Sequence, residues 1–383
     1  MWISGRKDLF DQLRQKIDPG DKPIWFHCSS LGEFEQGRPV IEKIRKTLPG
    51  KKILLTFYSP SGYEIRKNYQ EVDYVFYLPL DTGKNARRFL EIVNPEYVFF
   101  VKYEFWYHFL NHLKKQTIKT YLVSGIFRSG QLFFRKRGWW FRKMLECFNH
   151  FFVQDPESER LLHTIGIDRV TVTGDTRFDR VYAITSESKE FPLIGEFTSG
   201  HTTVICGSTW PGDEELLIRF MKGNSIPVKF IIAPHETHEG HIKQLQNGIP
   251  LNSLRYTALE EKPLQDIDVL IIDTMGILSS LYRYGNIAYI GGGFGKGIHN
   301  TLEAATFGLP VIFGPRYQKF REAIDLVNKK AAFPVSDYDG LEFILSQLLK
   351  DQELLKNSGQ NARSYVQSNL GATDKIVNIT LIN

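Results

Sequence analysis

Glu33 is the residue whose type and position best suit acid–base chemistry in this chain. It ends residues 27–33, His-Cys-Ser-Ser-Leu-Gly-Glu, which follow a strand-like apolar run at 24–28 and lead into a helical pattern. A carboxylate there would lie at the carboxyl edge of a sheet, where open α/β sheets bind ligands. Because a helix N-terminus favours the ionised form, we predict that Glu33 is deprotonated at neutral pH and acts as a general base. Glu35 competes for this role.

The same residues also match a helix-capping motif. Ser30 and Glu33 fit the S-x-x-E capping box, in which the serine caps the helix and the glutamate accepts a hydrogen bond from the cap residue's N–H. In this interpretation Glu33 only stabilises the helix. The sequence leaves both interpretations open.

Two further corners, in the second half of the chain, have the residue types that hold anions. Residues 207–209, Gly-Ser-Thr, follow a strand-like run, and residues 291–303 read Gly-Gly-Gly-Phe-Gly-Lys-Gly-Ile-His-Asn-Thr-Leu-Glu. The second corner matches neither the G-x-G-x-x-G fingerprint nor the P-loop. Hydroxyl and backbone N–H groups at such corners can bind a phosphate, with Asn300 capping a helix and Glu303 accepting hydrogen bonds from ribose hydroxyls. The structural alternative is a pair of capped turns.

Residues 128–143 combine six basic residues and five aromatics with no acid. This composition suits a membrane surface that carries anionic headgroups. It also suits single-stranded nucleic acid, on which aromatic side chains stack. A third interpretation is a solvated basic helix whose aromatics lie in the core.

Composition sets the remaining limits on function. A length of 383 residues predicts two or three domains, and three widely spaced cysteines favour a reducing compartment such as the cytoplasm. The net charge is +9 over residues 1–180 and −4 over the rest, which favours an anionic ligand or surface on one side. The ten histidines lack metal-ligand spacing, so we predict no metal site. No run is long and apolar enough to span a bilayer, although Trp2 near Arg6 and Lys7 is typical of an interfacial flank.

Short β-rich runs alternate with helical patterns along the whole chain. The predicted strands are 24–28, 52–57, 74–77, 97–101, 119–124, 150–154, 169–173, 203–206, 229–233, 269–273, 287–290 and 310–313. A polar stretch at 183–201 separates two series of this kind. We therefore predict an α/β fold of two doubly wound domains that face each other across a cleft, at 1–185 and 200–383, with the last helix able to pack on either domain.

Several blocks of the chain resemble the 3-deoxy-D-manno-octulosonic acid (Kdo) transferases of lipopolysaccharide assembly. The matching blocks, in order, are residues 27–33, 56–62, 104–106, 174–179, 207–209, 273–276, 299–303 and 313–315. The resemblance implies a GT-B fold with two Rossmann-like domains, the first binding the acceptor and the second the donor. It also implies transfer of Kdo from CMP-Kdo to a lipid A precursor (lipid IVA), with inversion at the anomeric carbon and without a metal or cofactor.

The resemblance assigns roles to individual residues. Glu33 falls where the family has its general base. The residues that fall on donor-binding blocks are Ser208, Thr209, His235, Gly276, Asn300, Thr301 and Glu303. Two positions depart from the family pattern: His235 and Glu236 stand where an Arg-His pair is usual, and Ile277 replaces a usual glutamate. Which residue takes the role of that arginine is left open.

The resemblance also sharpens the interpretation of residues 128–143. A lipid A precursor is a phosphorylated, acylated disaccharide, so Arg128, Arg135, Arg137 and Arg142 are expected to contact phosphates, while Phe133, Phe134, Trp139 and Trp140 contact acyl chains. The implied location is the anionic cytoplasmic face of the bacterial inner membrane, with no nucleic acid partner. The family usually begins with a hydrophobic anchor, which we expect to be missing from this sequence.

Two alternatives stay open at this stage. One is another GT-B transferase or an epimerase that uses a UDP-sugar, which UDP rather than CMP would inhibit. The other is a noncatalytic membrane-binding or nucleic-acid-binding module, whose salt-sensitive binding would not depend on Glu33.

Overall fold

The computed structural model describes residues 6–261 and 263–381. The chain forms two compact units: one holds the residues up to Arg180 and the segment from Asn369, and the other is Val181–Ser368. Each unit contains a seven-stranded, fully parallel sheet with helices between successive strands. This alternation confirms the predicted doubly wound α/β architecture.

The first unit is built around an apolar parallel sheet. Its strands are β1 (Ile24–Cys28), β2 (Ile53–Phe57), β3 (Tyr74–Tyr77), β4 (Tyr97–Val101), β5 (Lys119–Gly125), β6 (His150–Val153) and β7 (Val170–Val172), in the order β3-β2-β1-β4-β5-β6-β7. The helices from the start of the chain to Glu187, in sequence order, are α1 (Leu9–Lys16), α2 (Leu31–Thr47), α3 (Pro60–Arg66), α4 (Gly83–Val93), α5 (Tyr107–Lys115), α6 (Trp139–Leu145), α7 (Pro156–His163) and α8 (Arg177–Glu187). Every residue of β1 and β2 is buried, because helices cover both faces of the sheet.

The second unit repeats this plan. Its strands are β8 (Thr203–Thr209), β9 (Lys229–Pro234), β10 (Ser253–Arg255), β11 (Val269–Ile271), β12 (Ile287–Ile290), β13 (Val311–Phe313) and β14 (Ala332–Pro334), in the order β10-β11-β9-β8-β12-β13-β14. The remaining helices are α9 (Pro192–Thr198), α10 (Pro211–Gly223), α11 (Glu239–Gly248), α12 (Leu278–Leu281), α13 (Leu302–Thr306), α14 (Arg321–Asn328), α15 (Tyr338–Lys350), α16 (Gln352–Ser368) and α17 (Ala372–Leu381).

The strand order creates one topological switch point in each sheet. In the first sheet the chain builds outward from β1 through β2 and β3, and then returns to place β4 on the other side of β1. In the second sheet the same reversal separates β8 from β12. Open α/β sheets bind ligands in the crevice at the carboxyl ends of the strands that flank such a point. The residues that follow β1, β4, β8 and β12 are therefore the first candidates for function.

All twelve predicted strands are present, and the structure contains two further strands that were not predicted. The missed strands, β10 and β14, are three-residue strands at the two edges of the second sheet. An edge strand is buried less completely than a central one, so it needs no apolar run. Ser253 and Arg255 in β10 and Pro334 in β14 hid the pattern.

The end of the chain belongs to the first unit, although the second predicted domain included it. Helix α17 packs against α2. Asp179, in α8, accepts hydrogen bonds from the backbone N–H groups of Gly371 and Thr373, each at 2.7 Å. This carboxylate therefore caps the N-terminus of α17 from a distant part of the sequence.

We expect Asp179→Ala to lower the free energy of unfolding by about 0.5–2 kcal/mol, the usual effect of losing a helix cap. The measurement is urea-induced unfolding followed by circular dichroism. Asp374→Ala is a matched control, because Asp374 lies on α17 and forms an exposed ion pair with Lys43, at 2.8 Å. Equal effects of the two substitutions would contradict the capping role of Asp179.

Within residues 6–261 and 263–381, no helix is long and apolar enough to cross a bilayer. The predicted interfacial flank at Trp2 lies outside the described residues.

Candidate active site

Glu33 lies at the N-terminus of α2, directly after the central strand β1. The Ser30 hydroxyl accepts a hydrogen bond from the Glu33 N–H at 3.4 Å, and Glu33 Oε2 accepts one from the Ser30 N–H at 3.1 Å. Both halves of the predicted capping box are therefore present. This structural role does not exclude a chemical one, because a carboxylate has two oxygens and several acceptor sites.

Burial and a neighbouring carboxylate raise the pKa of Glu33 to about 7. Burial is the larger cause, and the charge of Glu104 adds to it. Hydrogen bonds from the Ser29 and Ser30 backbone and the charge of Lys102 oppose the shift. The prediction that the helix N-terminus keeps Glu33 deprotonated at neutral pH is therefore wrong. A carboxylate that is about half ionised near pH 7 is well matched to proton transfer at that pH.

Glu104 follows β4, on the other side of the switch point from Glu33. Its buried Oε2 accepts hydrogen bonds from His27 Nε2 at 3.1 Å and from the Trp106 indole N–H. Burial alone would raise the pKa of Glu104. Hydrogen bonds from His27, Ser29 and Trp106, together with the charge of His27, outweigh burial and lower it below its ordinary value. Two neighbouring carboxyls thus have pKa values pushed apart, a pattern typical of acid–base sites.

His27 connects this pair to the core of the sheet. Its Nδ1 lies 2.9 Å from the hydroxyl of Thr56, which also accepts a hydrogen bond from the Trp25 indole at 2.8 Å. His27 and Thr56 are fully buried. Glu104, His27 and Thr56 were not among the predicted functional residues. A signal was available for Glu104, because it is a carboxylate shortly after the buried apolar strand β4.

Glu35, the predicted competitor of Glu33, has different surroundings. Its carboxylate binds Arg66 at 2.9 Å and lies 3.9 Å from Arg38. The carboxylate of Glu35 is therefore occupied by ion pairs with two arginines.

In the second unit, the glycine corner that follows β12 is required by close backbone packing. A Cβ atom on Gly291 would lie 2.3 Å from the carbonyl oxygen of Ser208, and one on Gly293 would lie 2.6 Å from the Cα of Gly314. Gly292 has a φ of 91°, which favours glycine. The corner thus brings the ends of β8, β12 and β13 together without intervening side chains.

Asp213, in the first turn of α10, holds this corner in place. Its carboxylate is 1% exposed and accepts hydrogen bonds from the Trp210 N–H at 3.0 Å, the Gly292 N–H at 2.9 Å and the Tyr289 hydroxyl at 2.8 Å. This role of Asp213 was not predicted from the sequence. A lone acid in the first turn of a helix gives no sign of which distant loop it binds.

The predicted donor residues Ser208 and Thr209 end strand β8, and the predicted donor residue Gly276 lies in the loop after β11, all at the carboxyl edge of the second sheet. Ser208 occupies a bulge in β8 with a φ of 53°, a conformation that is uncommon for non-glycine residues. The Thr209 hydroxyl is buried and donates to Glu214 Oε1 at 2.9 Å, so it is not available to a ligand. Gly276 has a φ of 89° and lies before α12, whose Leu278 packs over Gly207.

Asn300, Thr301 and Glu303 lie around the start of α13. The Asn300 side chain accepts a hydrogen bond from the Leu302 N–H at 3.0 Å and donates one to Glu303 Oε1 at 2.9 Å. Thr301 is buried, and its hydroxyl has no hydrogen-bond partner among the residues that the structure describes. Asn300 was predicted to cap this helix, but the N-cap residue is Thr301; Asn300, one residue earlier, binds the first N–H of the helix and orients Glu303.

His235 stacks on two ring side chains that come from neighbouring strand ends. Its ring stacks on Trp210, with 4.4 Å between ring centroids, and on His299, with 4.7 Å. Trp210 was not among the predicted site residues. Nothing in the sequence indicates that these three side chains, which follow β8, β9 and β12, meet at one place.

Residues 128–143 divide into a buried part and an exposed part. Trp139 and Trp140 are exposed by 61% and 42%, whereas Phe133 is buried among other aromatics, so the prediction that Phe133 contacts acyl chains is wrong. The guanidinium of Arg142 donates to the Phe133 carbonyl at 2.8 Å, and that of Arg135 donates to the Gly130 carbonyl at 3.2 Å. These two arginines hold the loop together. Arg128 and Arg137 are exposed.

Residues 104–107 connect the Glu33 site to this segment. Glu104 binds His27, and Phe105 packs against Phe133 with 4.9 Å between ring centroids. Tyr107 stacks on Trp140 at 5.1 Å. The loop after β4 therefore contacts both the carboxyl pair and the aromatic segment.

In the described parts of the chain, no group of three or more His, Cys, Asp or Glu residues is arranged to hold a metal ion.

Comparison with known proteins places this geometry in a family. Residues 6–180 match the family described as 3-deoxy-D-manno-octulosonic-acid transferase (kdotransferase). A 3-deoxy-D-manno-octulosonic acid transferase from Aquifex aeolicus is 28% identical over 341 residues, which cover 87% of this chain and 88% of that protein. The transferase of the same name from Rickettsia bellii is 26% identical over 93% of this chain and 87% of its own length.

Solved structures with low sequence identity share the fold. A UDP-GlcNAc 2-epimerase from Neisseria meningitidis superposes with a TM-score of 0.64 at 17% identity, covering 94% of this chain and 100% of that one. MurG from Acinetobacter baumannii gives a TM-score of 0.59 at 13% identity, with 94% and 100% coverage. These likenesses confirm the predicted GT-B fold. Residues 6–180 therefore match the 3-deoxy-D-manno-octulosonic acid (Kdo) transferase family, transferases of this name are similar to the chain over most of its length, and the protein is a glycosyltransferase.

Proposed function

We propose that this protein transfers Kdo from CMP-Kdo to a lipid A precursor, with Glu33 as the general base. The observation that carries the proposal is the carboxyl pair at the switch point of the first sheet, in which Glu33 has a pKa of about 7 beside the hydrogen-bonded Glu104. The names of the similar transferases support the sugar.

The chemistry needs one proton acceptor. Glu33 takes the proton of the acceptor hydroxyl while that oxygen attacks the anomeric carbon of Kdo. The bond from this carbon to the phosphate oxygen of the donor breaks, and CMP leaves with the bonding electrons. Direct attack opposite the leaving group inverts the anomeric configuration. Because the leaving phosphate is already a stable anion, the reaction needs neither a general acid nor a metal.

The second unit supplies the donor site in this proposal. In this proposal the donor phosphate binds at the carboxyl edge of the second sheet, beside the glycine corner after β12 and the bulge at Ser208. Glu303, oriented by Asn300, can accept hydrogen bonds from ribose hydroxyls. The Asp213 carboxylate accepts the Gly292 N–H and so holds the corner after β12 in place.

The exposed tryptophans of the first unit supply the lipid side of the site. Trp139 and Trp140 lie beside the basic residues Arg137 and Lys143, a combination suited to an anionic membrane at the cytoplasmic face. Burial raises the pKa of Tyr103, and that pKa is further affected by the charges of both Arg128 and Glu33. Because Arg128 and Glu33 both act on Tyr103, we place Arg128 near Glu33 and the acceptor hydroxyl that Glu33 deprotonates. There it can bind an acceptor phosphate.

We expect the double substitution Trp139→Ala, Trp140→Ala to weaken binding to anionic phospholipid vesicles at least tenfold. Burying one large apolar side chain contributes about 1.5–3 kcal/mol, so partial insertion of two is enough for this effect. Vesicle sedimentation measures the binding. Phe343→Ala is the control, because Phe343 is equally exposed, at 59%, but lies in the second unit. Unchanged binding of the double variant would exclude the membrane role of these tryptophans.

The proposed function is tested by incubating the protein with a tetraacylated lipid A precursor and CMP-Kdo that is generated in situ. Mass spectrometry of the product detects transfer and counts the added sugars. Competition with free nucleotides identifies the donor class, since CMP should inhibit and UDP should not. Transfer from a UDP-sugar, or inhibition by UDP alone, would contradict the proposal.

A further inference from the structure

Three ring side chains meet at the carboxyl edge of the second sheet, each from a different strand end. His235 stacks on Trp210 with an interplanar angle of 22° and on His299 with an angle of 26°. The Trp210 indole N–H also donates a hydrogen bond to His299 Nε2 at 3.1 Å. Trp210 and His299 therefore lie edge to edge, and His235 lies across one face of the pair.

His299 is the uncharged histidine of this cluster. An indole N–H can only donate, so the nitrogen that it binds carries no proton, and the proton of His299 is on Nδ1. Burial and the neighbouring His235 lower the pKa of His299, in agreement with this geometry, whereas the charge of Asp213 acts in the opposite direction. Asp213 itself is occupied by its three hydrogen bonds.

His235 differs from His299 in exposure and in hydrogen bonding. It is exposed, and within residues 6–261 and 263–381 neither of its ring nitrogens has a hydrogen-bond partner. The adjacent carboxylate, Glu236, lies 3.4 Å from His238 Nε2, so it already has a partner. A protonated imidazole on the face of an indole is stabilised by a cation–π interaction. The Trp210 ring thus holds His235 in place.

We propose that His235 is the cation that receives the donor phosphate, so that binding of the donor takes up a proton and weakens as the pH rises above neutrality. The proposal rests on the proposed function, which supplies a donor with a nucleoside monophosphate. An imidazolium ion offers two N–H donors and a charge to phosphate oxygens, whereas a neutral ring offers one donor and no charge. Imidazole is the side chain that changes charge between pH 5 and 8.

The position of His235 in the fold supports this role. His235 follows β9, which is bonded to the central strand β8 along its whole length. Its backbone N–H donates to the Thr209 carbonyl at 2.9 Å, next to the strained Ser208 bulge. The ring therefore lies at the carboxyl end of the central strand β8, beside the switch point of the second sheet.

The test is a calorimetric titration of the full chain with CMP between pH 6 and 8.5, for the wild type, His235→Arg and His235→Gln. Titrations in buffers with different ionisation enthalpies count the protons taken up. We expect His235→Arg to bind CMP at least tenfold more tightly than the wild type at pH 8.5, with no proton uptake by the protein. We expect His235→Gln to bind weakly at every pH. The titration of the CMP phosphate, near pH 6, is common to all three proteins.

Cytidine, which lacks the phosphate, is the control ligand, and its affinity should be the same for all three proteins. Equal CMP affinities and equal proton counts for the three proteins would overturn the proposal, as would an equal loss of cytidine binding in His235→Gln. Thermal unfolding verifies that each variant folds. If UDP binds and CMP does not, the proposed function fails, and the same variants titrated with UDP decide the role of His235 separately.

Discussion

Glu33→Gln is expected to lower the rate of Kdo transfer by about 10²- to 10⁴-fold, the usual contribution of a positioned general base. Glutamine is the informative replacement because it also completes a capping box. Its side-chain oxygen can still accept the Ser30 N–H that Glu33 accepts at 3.1 Å. The substitution therefore removes the proton acceptor and keeps the helix cap. The measurement is product formation by mass spectrometry at saturating donor, with CMP binding measured in parallel.

Glu35→Gln is the matched control for this substitution. Glu35 lies on the same helix, but its carboxylate is held by Arg66 at 2.9 Å. We expect its replacement to change transfer by less than about threefold, because it removes an ion pair at a half-buried position and leaves the carboxylate of Glu33 in place. Full activity of Glu33→Gln, with CMP binding retained, would leave Glu33 with its capping role alone.

The Glu33→Gln variant should also show how the site affects stability. The pKa of Glu33 is raised from 4.5 to about 7, so the folded state binds its proton more tightly than the unfolded state. Stability from this group is present below pH 4.5 and is lost as the pH rises through 7. The free energy of unfolding of Glu33→Gln, compared with that of the wild type, should therefore be higher at pH 8 than at pH 5. Urea unfolding at the two pH values provides the comparison.

Asp213→Ala is expected to destabilise the second unit by about 3 kcal/mol or more and to abolish CMP binding. The substitution leaves the Gly292 N–H and the Tyr289 hydroxyl without their acceptor, and each buried group that loses its partner costs about 1–3 kcal/mol. The corner after β12 would then lose its link to α10. Denaturant unfolding and CMP titration measure the two effects.

Glu215→Ala is the control for Asp213→Ala, because Glu215 is exposed two residues further along the same helix. Its removal should change stability by no more than about 0.5 kcal/mol. If Asp213→Ala folds with normal stability and binds CMP as the wild type does, the corner does not depend on Asp213, and the donor site must be held in another way.

The sequence was sufficient to predict most of the architecture because the central strands are continuous apolar runs bounded by polar helices. The capping box at Ser30 and Glu33 was also visible, since all its members lie within four residues. The edge strand β10 was missed because an edge strand does not need such a run.

The electrostatics of the site could not be predicted from the sequence. The pKa of Glu33 depends on its burial and on the charge of Glu104, which follows a different strand. Glu104 is in turn bound by His27, from which it is 77 residues away in the chain. The stack of Trp210, His235 and His299 likewise joins the ends of three strands. Local patterns report helices, strands and turns, whereas these contacts depend on the order of strands in the finished sheet.

The most direct test of the central claim is the pH dependence of kcat, at saturating CMP-Kdo, for the wild type and Glu104→Gln. If Glu33 is the base, kcat in the wild type rises with pH and levels off above about 7. Burial and the charge of Glu104 raise the pKa of Glu33, so removal of that charge lowers it.

Glutamine at position 104 can still accept the His27 hydrogen bond, so the geometry of the pair is kept. We predict that the acidic limb of the Glu104→Gln profile moves to lower pH, with transfer retained below pH 6, where the wild type is mostly inactive. An acidic limb at the same pH in both proteins would contradict the assignment of Glu33 as the base whose pKa Glu104 sets.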